Sequence, residues 1–121
     1  MLLVDGNWMF RDAATMVLSR EGYEVLIATT AKEGLEVMRT AQGRIDVVVS
    51  EMNFKGEMNG PTLLKALRKI DHELRCIFVS GNHEDTLRDM LDGDEAYAFL
   101  VKPFRAREFV AKIEEVAKRE C

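Results

Sequence analysis

Short apolar runs alternate along this chain with longer stretches in which apolar residues recur every three or four positions. The runs at residues 2–4, 24–28, 45–50, 75–80 and 97–101 are rich in β-branched and aromatic side chains, and each predicts a strand. Between them, Phe10, Ala13, Ala14, Val17 and Leu18 share one helical face, Ala31, Leu35 and Met38 a second, and Leu63, Leu64, Leu67 and Ile70 a third. The third opens on Asn59-Gly60-Pro61, with proline early in the helix where its missing N–H costs little. A fourth helix, over 84–91, is acidic early and only weakly apolar. The fifth, over 106–118, carries Phe109, Ile113 and Val116 as its stripe, with basic residues late, where the helix dipole favours them.

Strictly alternating strands and helices predict parallel neighbours joined by right-handed crossovers, so five such units make a three-layer α/β/α sandwich. Val47-Val48-Val49 and Ile77-Phe78-Val79 are apolar on both faces and belong to central strands; the run 24–28, bounded by polar residues, reads as an edge. At 121 residues and 47% hydrophobic, the chain suits one domain over 1–121 with a substantial core. A net charge of −4 with interleaved basic residues leaves no positive stripe for phosphates, which argues against direct nucleic-acid binding. Cys76 lies in a strand and Cys121 at the end of the chain, with no metal or disulfide spacing, so a reducing, cytoplasmic setting is expected. No apolar run approaches the ~18–20 residues of a bilayer span, so no membrane partner is expected. The chain starts almost directly on its first strand, which fits a segment of something larger.

Four of the apolar runs end in polar groups: Asp5, Glu51, Ser80 and Lys102. Open α/β sheets bind ligands at the carboxyl ends of their strands, and a charge at the end of a buried run is costly, so these residues mark a site. Singly each has a plainer reading: a solvated carboxylate, a Ser-Gly turn, a surface lysine before proline. His72 and His83 fit loop or cap positions, and the acidic residues of 85–95 a solvated face.

Together, Leu2-Leu3-Val4-Asp5, Ser50-Glu51-Met52-Asn53, Phe78-Val79-Ser80-Gly81 and Phe99-Leu100-Val101-Lys102-Pro103-Phe104 resemble the receiver domain of two-component response regulators, over essentially the whole chain. Pro61-Thr62-Leu63-Leu64 and Ile77-Phe78-Val79-Ser80-Gly81 look most like receivers attached to bacterial hybrid histidine kinases. The resemblance implies a flavodoxin-like (βα)5 fold with strand order 2-1-3-4-5. It also implies a site in which an aspartate ending the third strand accepts a phosphoryl group from a histidine kinase, with Mg²⁺ held by acidic residues after the first strand. Phosphoryl transfer needs these parts because it depends on positioning and on neutralising oxygen charge.

Carried over by position, Lys102 should reach the strand-three carboxylate, Ser80 supplies the hydroxyl that moves on activation, Phe99 is the aromatic switch, and Asn53 offers a backbone carbonyl to the metal. Two parts depart from the pattern. The acceptor is Glu51, one methylene longer than aspartate, and the acidic pair after strand one is reduced to Asp5-Gly6. Losing a carboxylate weakens a Mg²⁺ site of Asp5, Glu51 and Asn53, and a displaced acceptor oxygen spoils in-line geometry. The segment 54–60 also carries one residue more than the family's usual loop.

Two readings stand at this point. In the first, the chain is a signalling receiver with a degenerate acceptor, not an enzyme, acting through a protein partner such as a histidine kinase or a downstream regulator. In the second, it accepts a phosphoryl group with Mg²⁺ through an unusual arrangement around Asp5. A flavodoxin-like cofactor binder has no phosphate-cradling glycine pattern behind it. The resemblance places the output surface on the fourth helix, fifth strand and fifth helix, with Arg88, Tyr97, Arg105 and Arg107 as contacts, in a monomer or weak homodimer.

Overall fold

In the computed structural model, residues 1–41, 45–52, 59–81, 97–102 and 104–118 are described, Tyr97 and Lys118 by backbone alone. They form one parallel sheet of β1 (Leu2–Val4), β2 (Leu26–Ala28), β3 (Val47–Glu51), β4 (Arg75–Ser80) and β5 (Tyr97–Val101), in the order β2-β1-β3-β4-β5. The helices among these residues are α1 (Trp8–Arg20), α2 (Ala31–Thr40), α3 (Gly60–Ile70) and α4 (Ala106–Lys118). The helix expected over 84–91 lies outside the described residues.

Period-two alternation decides which side chains meet which helices. Leu2, Val4, Val48, Cys76 and Phe78 join Ala31, Met38, Leu63, Leu64 and Leu67 in a core under α2 and α3. Their strand neighbours Leu3, Val47, Val49, Ile77 and Val79 point the other way, to Ala14, Leu18, Phe109, Ile113 and Val116 of α1 and α4. Both faces of the sheet are therefore dry, which is why these strands read as continuous apolar runs.

Strand limits differ from the sequence reading at two places, and the ladder explains both. β2 is two residues shorter than expected because its register with β1 begins at Leu2 opposite Leu26; the Glu24 carbonyl accepts instead from the Met1 ammonium at 2.9 Å. β3 begins at Val47 rather than Ile45, opposite Arg75, and runs on through Glu51, opposite Val79. The edge position of β2 and the interior positions of β3 and β4 match expectation.

Helix starts are set by local chemistry. Asn7 caps α1 by accepting from the Met9 and Phe10 amides, Thr30 caps α2 through the Glu33 amide, and Asn59 caps α3 through the Thr62 amide. Gly60 is required for a second reason. A Cβ there would stand 2.7 Å from the Glu51 carbonyl oxygen and 2.9 Å from the Phe78 ring, so only glycine lets α3 start against the end of β3.

Candidate functional site

Register brings the polar strand ends together. Val4 lies opposite Ser50, so Asp5 stands beside Glu51; Glu51 lies opposite Val79, and Ser80 opposite Val101, so Ser80 and Lys102 follow along the same carboxyl edge. Backbone bonds from the Asp5 amide to Ala28, from Met52 to Val79 and from Lys102 to Ser80 (3.1, 3.1 and 2.7 Å) continue the pairing into the loops.

Asp5 is 1% exposed and fully engaged. Its Oδ1 accepts from the Asn7 amide at 2.8 Å, its Oδ2 meets the Lys102 ammonium at 3.5 Å, and its backbone carbonyl accepts from Arg11 Nη1 at 2.8 Å. Asn7 thus does two jobs, bonding Asp5 through its N–H and capping α1 through its side chain, and the cap turns Arg11, one helical turn later, back onto β1.

Glu51 is half-buried, and its Oε1 accepts from the Gly6 amide at 2.8 Å. Burial raises its pKa above the ordinary 4.5, and the charge of Asp5 adds to the rise; the Gly6 hydrogen bond, Lys102 and Arg11 oppose it. A Cβ at Gly6 would lie 3.4 Å from this same Oε1. The longer acidic side chain therefore reaches into space beside Gly6, where the family's second loop carboxylate is missing.

Lys102 meets Asp5, not Glu51 as the resemblance implied. The reason is physical: Asp5 is the more deeply buried carboxylate and gains more from a cation, whereas the extra methylene of Glu51 carries its oxygen to a backbone donor. The ammonium also sits 4.3 Å from the centroid of the Phe10 ring, a cation–π contact. Phe10 packs in turn on Phe104 and Phe109, at ring distances of 6.0 and 6.3 Å.

Ser80 is buried at the end of β4, and Phe99, opposite Phe78 in β5, packs half-buried on the α2–α3 core. Tyr97 is placed by its backbone opposite Cys76. Arg105 and Arg107 are exposed at the start of α4, where the Arg105 carbonyl accepts from Glu108 and Phe109. Asn53, Arg88 and residues 54–58 of the longer loop lie outside the described residues. Sequence reasoning missed Arg11, Phe10 and the Gly6 amide. Their signal was the Asn7 cap, which fixes the first turn of α1 over the end of β1.

As they are placed, the described residues offer a divalent cation a poor site. Magnesium takes carboxylate oxygens with near-octahedral geometry. Both oxygens of Asp5 are engaged, Oε1 of Glu51 is held by an amide, and Gly6 offers no side chain. Among the described residues no group of three or more acidic, histidine or cysteine side chains could hold a metal.

A doubly wound, flavodoxin-like α/β domain with a charged site at its carboxyl edge is the class this architecture defines. Within it, the chain belongs to the response regulator receiver domains of two-component signalling, whose family profile matches residues 1–114. It is 36% identical over 119 residues to the sensor kinase CckA of Brucella abortus (strain 2308), covering 98% of this chain and 12% of that protein. The transcriptional regulatory protein AfsQ1 of Streptomyces coelicolor is 28% identical over 121 residues, 98% of this chain and 51% of the regulator. Among solved structures, the receiver domain from the hybrid histidine kinase CckA superposes with a TM-score of 0.82 at 27% identity, over 97% of each chain. The Vibrio cholerae chemotaxis protein CheY4 superposes with a TM-score of 0.84 at 25% identity, over 95% of each. The chain thus spans a small part of the sensor kinase and about half of the transcriptional regulator. Among the described residues no helix is long and apolar enough to cross a membrane.

Proposed function

We propose that this receiver signals by binding a protein partner, a histidine kinase or a downstream regulator, without accepting a phosphoryl group at Glu51. One observation carries the reading: the carboxylate that stands at the acceptor position is bound to the Gly6 amide at 2.8 Å. An acceptor must present an oxygen in line with the incoming phosphorus, and a misplacement of ~1 Å can cost ~100-fold in rate. Glu51 is both longer than aspartate and held toward the β1–α1 loop. The misfit of the site to Mg²⁺ supports the same reading, since the metal neutralises charge on the transferring group.

The test is incubation with acetyl phosphate and Mg²⁺, followed by intact mass. The wild-type mass is expected to stay unchanged, with no stable adduct under beryllofluoride either. A phosphoryl adduct on Glu51 would overturn the reading and establish a phosphorylatable receiver instead.

A further inference from the structure

We propose that Arg11 is the resident cation of this site: its guanidinium, bonded to the Asp5 carbonyl, takes the electrostatic place of a divalent ion and keeps that ion out. The inference rests on the reading of a receiver that does not use metal-dependent phosphoryl transfer, and it goes further by naming the agent.

Charge balance is the first argument. Two carboxylates, Asp5 and Glu51, stand at the carboxyl edge, and two cations of the chain, Lys102 and Arg11, face them. Among the described residues these charges balance without a metal, so an entering divalent ion meets two positive groups beside the two carboxylates. Geometry is the second. Arg11 Nη1 lies 2.8 Å from the carbonyl oxygen of Asp5, the residue that carries the remaining loop carboxylate. The approach is fixed rather than incidental, because the Arg11 amide bonds to the Asn7 carbonyl at 3.0 Å in the first turn of a capped helix. The third is complementarity of the two departures from the family pattern. Gly6 lacks a carboxylate, and its amide together with the longer Glu51 closes the gap that the missing side chain leaves.

Magnesium titration at constant ionic strength reads this directly, followed by calorimetry and by the amide signals of Gly6 and Asn7, whose N–H groups bond the two carboxylates. Wild type is expected to show no saturable binding up to the millimolar range typical of weak divalent sites. Arg11→Gln is expected to bind Mg²⁺ at least ~10-fold more tightly, because one like-charge repulsion is gone. Arg11→Lys, which keeps the charge, is expected to behave as wild type. Thermal melts establish that each variant is folded, and Arg11→Met replaces Arg11→Gln if that protein does not fold. Equal Mg²⁺ affinity in wild type and the charge-removing variant would overturn the role of Arg11. That outcome is separate from the acetyl phosphate test: an adduct on wild type sinks the non-phosphorylated reading, whereas equal metal affinities sink only the resident cation.

Discussion

Glu51 is held by opposing forces, and its titration exposes them. Burial and Asp5 raise its folded pKa above 4.5, so the native state binds this proton more tightly than the unfolded chain does. Its contribution to stability is therefore full below 4.5 and is lost as pH rises through the raised folded value. Glu51→Gln keeps an oxygen for the Gly6 amide but cannot titrate. Urea denaturation across this window is expected to show wild type losing stability relative to the variant as pH rises, then running parallel above it. A difference that instead grows in favour of wild type would contradict the burial account. A second residue-scale test concerns Lys102, which is 30% exposed while its partner Asp5 is 1% exposed. Lys102→Met keeps the stem over Phe10 and removes the charge; it is expected to cost about 1–2 kcal/mol, less than a fully buried pair because water reaches the lysine. In double-mutant cycles the coupling of Lys102 to Asp5 should exceed its coupling to Glu51.

At the scale of elements, β3 and α3 meet where Glu51 ends and Gly60 begins. The Gly60 amide donates to the Met52 carbonyl at 2.8 Å, so the helix start and the strand end are one unit. Gly60→Ala places a methyl group against backbone that cannot move cheaply, and a loss of about 1–3 kcal/mol is expected in chemical denaturation. The same variant should shift the Gly6 amide signal, since Glu51 is carried on the displaced strand end. Much of this level was legible beforehand. Arg75–Ser80 and Tyr97–Val101 have the limits that their apolar runs predict, and Asn59-Gly60-Pro61 announced a helix start. What the runs could not announce was where each ladder finds a partner, so β2 lost Glu24 and Val25 while β3 gained Glu51. The strand-end logic likewise found Asp5, Glu51, Ser80 and Lys102, but pairing within the site depends on side-chain length and on a backbone donor. Gly6 and Arg11 carry no pattern of their own until α1 is laid across β1.

The whole molecule stacks two apolar cores on opposite faces of one sheet, and neither can persist without the strands they share. Phe78 fills the α2–α3 side and Phe109 the α1–α4 side; both are almost fully buried. Truncating either to alanine is expected to cost about 3–5 kcal/mol, a large part of the ~5–15 kcal/mol that stabilises a domain of this size. Because each core rests on alternating side chains of the same strands, loss on one face must loosen the other. Phe78→Ala and Phe109→Ala should therefore each shift a single unfolding transition, with matching curves from far-UV circular dichroism and from the amide signals of each core. The amides of Leu18 and Ile113, two core residues on the Phe109 side of the sheet, report a core that Phe78 does not join. If Phe78→Ala melted the α2–α3 side while the Leu18 and Ile113 amide signals stayed at their folded positions, the two faces would be separate units and the one-domain account would fail. A single shared transition would mean that the carboxyl edge, where Asp5, Glu51 and Lys102 converge, is held by both cores at once.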